Sequence, residues 1–304
     1  MSSIRTVVRA FLAAALLAAL AACSSGGPPP AAIQPGSSGS VALDDRPFTL
    51  AVPDGYDEDT PVPLVVGLHG YTGDGAGLVS YLGLGPQAQD KGFLLASPDG
   101  TKDSGGDRFW NATAACCDFN ATGVDDSAYL SKLITTVEEQ YTVDPDRVFV
   151  VGHSNGGFMA LRMACEHADQ VAAVVSVAGE MTDDASTCKP SKKVSVLQVQ
   201  GDHDEVIHYD GGNGYTGAPY PGAETTVQDW RTLDGCGDAA TPGASLDLEG
   251  TIAGAETTPK SWSSCTDGTE VALWTIAGGL HSPTWSPEFG PQLADWMLAH
   301  PRTS

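Results

Sequence analysis

The stretch Val148-Phe149-Val150-Val151-Gly152-His153-Ser154-Asn155-Gly156-Gly157 constrains this chain more than any other. Four apolar β-formers run straight into Gly-x-Ser-x-Gly, and a helical pattern from Asn155 to His167 opens immediately behind it. The bare pattern arises by chance in a chain with 36 glycines, so the strand and helix around it carry the argument. A serine on so sharp a turn sits in a strained backbone, and glycines on either side let strand and helix close without collision. The helix also aims its unpaired N–H groups and positive dipole end at any negative charge forming at Ser154.

A strand that feeds a helix calls for parallel neighbours, and the rest of the chain supplies them. Short β-branched runs at Phe48 to Val52, Pro63 to Leu68, Phe93 to Ser97, Val148 to Val151, Val171 to Val177, Val194 to Val199 and Val271 to Ile276 read as strands spaced for crossovers. Between them Val124 to Tyr141, Asn155 to His167, Thr225 to Leu233 and Phe289 to His300 read as helices. The expected fold class is α/β, a mostly parallel sheet with helices on both faces, in one catalytic domain over 46–304.

A serine hydroxyl is a poor nucleophile near neutral pH, so a histidine must take its proton and a carboxylate must orient that histidine. Of seven histidines, His281 alone follows a late strand through a small glycine loop, Ala277-Gly278-Gly279-Leu280. The acid is expected after Val194 to Val199, where Asp202, Asp204 and Glu205 compete. The spacing Gly-x-x-Asp-x-x-Val favours Asp204 and leaves the other two as solvated loop charges. The chain order Ser154, Asp204, His281 is that of α/β-hydrolases. Leu64 to Leu68 ends in His69-Gly70-Tyr71, where this fold takes its second oxyanion donor. The expected donors are therefore the backbone N–H groups of Tyr71 and Asn155, with the His69 side chain packing the strand end. Trp110 and Trp285 are candidates for lining a substrate pocket.

Arg5 and Arg9 precede an apolar run, Phe11 to Ala22, that ends in Leu20-Ala21-Ala22-Cys23 and is too short to span a bilayer. The expectation is a signal peptide over 1–22 of lipobox form, with Cys23 the lipid-modified residue and an extracellular or cell-surface location. From Ser24 to Ser40, 13 of 17 residues are Gly, Pro or Ser, so 23–45 is expected to be a flexible tether. Six of the seven cysteines then lie in the exported part, and an even number in an oxidising compartment reads as disulfides, with 15 connectivities open. The chain has 15 Lys+Arg against 38 Asp+Glu, a net charge of −23, which argues against nucleic-acid partners and leaves the anchor as the only membrane contact expected. His203 and His208 beside Asp204 lack a second ligand pair, and Asp57-Glu58-Asp59 lacks calcium-loop spacing, so neither metal nor cofactor is expected. Asn111 and Asn120 each begin an Asn-x-Thr pattern but read as loop residues in an anchored bacterial-type protein.

With these residues placed, the chain resembles secreted α/β-hydrolase esterases of the polyhydroxybutyrate depolymerase and feruloyl esterase group. The resemblance runs from about Phe48 to Trp296. Its most specific pieces are Gly67-Leu68-His69-Gly70, Trp110 with Cys116-Cys117 and Val124-Asp125-Asp126, and Gly152-His153-Ser154-Asn155-Gly156-Gly157. Around the histidine it departs from the group, which usually shows Gly-His followed shortly by Trp-Pro; here Leu280 precedes His281 and Trp285 lies four residues beyond. The resemblance implies bridges Cys165–Cys188 and Cys236–Cys265, leaving Cys116 and Cys117 to each other. It also implies a monomeric serine esterase acting through an acyl-enzyme on hydroxyalkanoate polyesters or on feruloyl or acetyl esters of polysaccharide. An envelope acyltransferase using the same triad, and a catalytically silent binding protein on the same scaffold, are the competing classes.

Overall fold

The computed structural model describes residues 32–303, and Ile33–Ser304 forms one compact unit. The expected signal peptide, Cys23 and the start of the tether lie outside the described residues. Ten strands form one sheet: β1 (Ser38–Val41), β2 (Phe48–Ala51), β3 (Val62–Leu68), β4 (Leu94–Pro98), β5 (Val143–His153), β6 (Ala173–Val177), β7 (Ser195–Gly201), β8 (Thr241–Pro242), β9 (Thr257–Trp262) and β10 (Val271–Ile276). Their spatial order is β1-β2-β4-β3-β5-β6-β7-β10-β9-β8. The middle, from β4 to β10, is parallel throughout.

The central strands are mostly apolar on both faces because helices cover both. Leu64, Val66 and Leu68 of β3 face one core while Val65 faces the other, and Val148 and Val150 of β5 alternate with Phe149 and Val151 in the same way. Helices α3 (Asp126–Gln140), α4 (Asn155–Glu166) and α5 (Ala223–Asp234) pack the first core through Leu130, Ile134, Phe158, Met163, Val227 and Trp230. On the opposite face α1 (Gly75–Tyr81), α2 (Leu84–Lys91) and α6 (Phe289–Leu298) bring Leu78, Leu84, Ala88, Phe289, Leu293 and Met297 to the second.

The sheet departs from the sequence expectation at both edges. β1, β2 and β4 pair antiparallel, as do β10, β9 and β8. β1 lies inside the segment expected to be tether, so the ordered domain begins near Ile33 and not at residue 46. Gly and Ser letters disguise it, but Val41 and Leu43 are buried and the Ile33 N–H donates to the Tyr141 hydroxyl at 2.8 Å. β9, Thr257–Trp262, carries no apolar run, and α1 and α2, with 7 and 8 residues, are too short for helical periodicity to show. All six cysteines of the domain are bridged: Cys116–Cys117, Cys165–Cys188 and Cys236–Cys265.

Candidate active site

β5 ends at His153 and α4 starts at Asn155, leaving Ser154 alone between them with φ +53° and ψ −121°. A non-glycine residue held there stores about 1 to 3 kcal/mol, which the surrounding packing must offset. The packing is close: a Cβ on Gly152 would lie 2.1 Å from the Gly156 carbonyl oxygen, and one on Gly156 would lie 2.0 Å from that of Leu68. Glycine at both positions lets the end of β3, the turn and α4 meet.

β7 and β10 run side by side and deliver the other two residues. A Cβ on Gly201 would meet the Gly279 carbonyl oxygen at 2.2 Å, so bare backbones bring the Asp204 and His281 loops into contact. Gly279 O accepts from the His203 N–H at 3.0 Å, and Asp202 Oδ1 accepts from the Gly278 N–H at 2.6 Å. Asp202 is thus a brace for the histidine loop and not merely a solvated charge. Glu205 is exposed and borders the cleft.

The structure brings Ser154, His281 and Asp204 into one hydrogen-bonded series. His281 Nδ1 lies 2.8 Å from Asp204 Oδ2, and His281 Nε2 lies 2.9 Å from Ser154 Oγ. A carboxylate only accepts, so Nδ1 carries the ring proton and Nε2 is free to accept from the hydroxyl. The Asp204 side chain is fully buried. Its Oδ1 accepts from the N–H groups of Val206 (2.8 Å) and Ile207 (2.9 Å), and its Oδ2 accepts from Gln200 Nε2 (3.0 Å) as well as from His281.

His153, which the sequence shows only as a flank of the serine, holds His281 in place from below. Its Nε2–H donates to the His281 carbonyl at 2.9 Å, and burial lowers its pKa to about 4, so it stays a neutral donor. Tyr81 donates to the Pro283 carbonyl at 3.1 Å, and Glu249 Oε1 accepts from the Thr284 N–H at 2.9 Å, which pins the loop two and three residues further on.

Asn155 is fully buried and, as the first residue of α4, has an N–H with no partner inside the helix. Its side chain clamps a neighbouring loop: Oδ1 accepts from the Trp110 N–H at 2.7 Å and Nδ2 donates to the Trp110 carbonyl at 2.8 Å. The Trp110 indole then donates to the His69 carbonyl at 2.9 Å. Trp110 is therefore a fully buried strut between the serine turn and the end of β3, and it lines no substrate pocket. Its two polar backbone groups and indole are all engaged inside, which corrects the sequence expectation. His69 is structural, as its position predicts: Nδ1 donates to the Gly70 carbonyl at 2.7 Å and Nε2 accepts from the Gly100 N–H at 2.9 Å. Asp125 caps α3, and Asp126 is paired with Arg46 at 2.6 Å while accepting from the Asn111 N–H, so the Val124-Asp125-Asp126 motif steadies the same loop.

Ser154 and His281 open onto a cleft of about 450 Å³ whose walls include Tyr71, Phe119, Phe158, Ile207, Tyr215 and Tyr220. Cys116 and Cys117 form part of the same wall. Tyr71, Phe119 and Tyr215 stand edge to face with centroids 5.1 and 5.5 Å apart, an aromatic row leading outward from the serine. Tyr215 is 90% exposed, yet its turn is anchored: Thr216 Oγ1 donates to the Ala114 carbonyl at 2.7 Å. Trp285 is absent from this cleft. It stacks on Phe289 at 3.6 Å and bridges to Glu249 through its backbone, a packing role set by the departure around His281 noted above. Phe119 and Tyr215 escape sequence reading because each sits in an irregular loop and they meet across 96 positions. A second cleft of about 290 Å³, bordered by Gly70, Tyr81, His153 and Ser282, joins the first at Tyr71 and Thr72.

The Esterase family model matches residues 40–226, a span that contains Ser154 and Asp204 and stops short of His281. Feruloyl esterase B of Piromyces equi is 28% identical over 247 residues, covering 78% of this chain and 42% of that protein. Feruloyl esterase C of Emericella nidulans is 30% identical over 183 residues, covering 58% of this chain and 61% of its own length. The chain thus spans roughly half of the curated relatives it matches. Among solved structures, the acetyl xylan esterase from Aspergillus awamori superposes with a TM-score of 0.64 at 17% identity, covering 86% of this chain and 99% of that one. A thermostable esterase gives a TM-score of 0.59 at 16% identity, covering 88% and 63%. The fold is that of the α/β-hydrolases.

Proposed function

The chain belongs to the Esterase family, and from that premise we propose that it is a serine carboxylic-ester hydrolase. The observation that carries the reading is the unbroken series Ser154 Oγ, His281 Nε2, His281 Nδ1, Asp204 Oδ2 at the mouth of a cleft. In this reading Ser154 attacks the ester carbonyl as His281 takes its proton. The oxyanion is held by the N–H groups of Asn155 and Tyr71, a pair whose loss of one member costs about 2.7 to 4 kcal/mol of barrier. His281 then protonates the leaving alcohol, and water hydrolyses the acyl-enzyme by the same base.

The aromatic row Tyr71, Phe119 and Tyr215 favours esters of aromatic acids of the feruloyl type. Hydroxyalkanoate oligomers are the second reading, supported by Val206 and Ile207 on the same wall and by the exposure of Val206. The three disulfides support an extracellular setting, and Cys23 remains the proposed point of lipid attachment.

A panel of methyl ferulate, acetylated xylan, polyhydroxybutyrate and short p-nitrophenyl esters tests the reading. Turnover of methyl ferulate above the others is expected, and every activity should vanish in Ser154→Ala. Turnover that persists in that variant, or none on any ester, contradicts it. Acyl transfer to an added sugar in preference to water would move the assignment to a transferase.

A further inference from the structure

Behind Asp204 the core contains a line of polar side chains that no step above employs. Gln198 and Gln200 stand two residues apart on β7, hence on one face, and both are buried. Their neighbours Val196, Leu197 and Val199 are fully apolar, and an amide placed among such side chains costs free energy unless every bond it loses to water is replaced. Gln200 Nε2 is fully used: it donates to Asp204 Oδ2 at 3.0 Å and to the Ile207 carbonyl at 2.8 Å. Gln200 Oε1 in turn faces Gln198 Nε2 at 3.3 Å, and that nitrogen also donates to the Gly179 carbonyl at 2.8 Å and faces Glu180 Oε1 at 3.3 Å. The line therefore runs from Glu180 through two amides to the oxygen of Asp204 that also takes His281.

We propose that Gln200, oriented by Gln198 and Glu180, is a positioning residue that shares Asp204 Oδ2 with His281 and so limits how much of the carboxylate's charge the imidazole receives. This rests on the reading that Ser154, His281 and Asp204 act together. Two donors on one oxygen divide its charge between them, and the Ile207 carbonyl prevents the Gln200 amide from turning away. Glu180 closes the line at its far end. It is fully buried, and burial, with a smaller push from the nearby Asp204, raises its pKa well above the usual carboxylate range. The titratable groups around it are Asp204 after β7 and Tyr209 and Tyr220 of the chain segment that follows, and the Thr226 hydroxyl faces it from α5. None of these is a cation that would favour the ionised form.

The test is the pH dependence of Ser154 labelling by a fluorophosphonate, which requires the serine and its base but no ester substrate, run beside kcat/KM on a p-nitrophenyl ester. Gln200→Met removes the competing donor, concentrates the charge on His281 and should move the acid limb of both profiles to higher pH by about half a unit. That lowers the rate roughly threefold on the acid side. Glu180→Gln keeps a carbonyl oxygen beside the Gln198 amide and should leave the limb in place. An unmoved limb in a folded Gln200→Met protein, or a limb lowered by Glu180→Gln, overturns the proposal. If Gln200→Met does not fold, Gln198→Met must show a smaller shift in the same direction, and no shift there counts against the proposal equally. Normal labelling with no turnover of any ester would defeat the esterase reading while leaving this one standing.

Discussion

The two ends of β7 each carry a buried carboxylate, and the protein treats them in opposite ways. Beyond the exit of the strand, Asp204 accepts four hydrogen bonds, two of them from backbone N–H groups and one from His281. Beside its entry, Asp234 is the last residue of α5, fully buried against Val194 and Lys193. A carboxylate at a helix C-terminus meets the negative end of the dipole. The Lys193 ammonium donates to the Leu233 carbonyl, and burial outweighs its pull, so the Asp234 pKa rises to about 7. The same side chain thus gathers four donors at one end and is made costly to ionise at the other. Preorganisation here is a property of the donors gathered around a group, not of burial itself.

Isosteric amides at the two positions separate these cases most sharply. Asp204→Asn should retain the fold and lose about four orders of magnitude in kcat, because the amide can present an N–H to the imidazole and favour the wrong tautomer. A loss of less than tenfold, measured on a p-nitrophenyl ester, would mean that Asp204 does not orient His281. Asp234→Asn should leave kcat unchanged and act on stability alone. Between pH 3.8 and 7 the folded state holds a proton on Asp234 that the unfolded state has released, so this group's contribution falls as pH rises through that window. The variant should match its parent at pH 3.5 and exceed it at pH 8 by on the order of 2 kcal/mol, read from urea midpoints. Equal midpoints at pH 8 would mean that Asp234 is as well compensated as Asp204 and would remove the contrast.

His153 belongs with the preorganised end and has the opposite linkage. Its folded pKa lies near 4, so between pH 4 and 6.5 the unfolded state binds the extra proton and stability falls as pH drops. His153→Gln should flatten that acid slope and lower kcat about tenfold by releasing the His281 carbonyl. An unchanged slope with full activity would remove His153 from the support of the base. The smallest effect is expected at the cleft rim, where Tyr215→Ala should change stability by less than about 0.5 kcal/mol while raising KM for methyl ferulate severalfold. If KM rises equally for an acetyl ester, the aromatic row does not select the acyl group.

The contrast also shows what sequence could and could not disclose. Ser154, Asp204 and His281 can be named because each follows a strand through a short loop whose glycines permit a close approach, and such spacing survives in the letters. The parallel centre of the sheet is legible for a similar reason, since strands covered on both faces are continuously apolar. Trp110 and Trp285 mislead because tryptophan suits a core strut as well as a pocket wall, and only the hydrogen bonds of Trp110 to Asn155 and His69 decide the matter. Gln198 and Gln200 inside β7, and Glu180 in the loop after β6, pass unnoticed because a polar letter gives no hint of which partner meets it. β1 hides in a Gly/Ser-rich segment, since pairing with an existing edge requires backbone groups more than side chains.

The central claim, that Ser154 is the nucleophile of an esterase, is tested most directly by trapping. Incubation with a fluorophosphonate followed by peptide mass mapping should place a single adduct on the peptide containing Ser154. Parallel loss of p-nitrophenyl ester turnover should follow, with no adduct in Ser154→Ala. An adduct on another residue, or full turnover by the labelled protein, would contradict it.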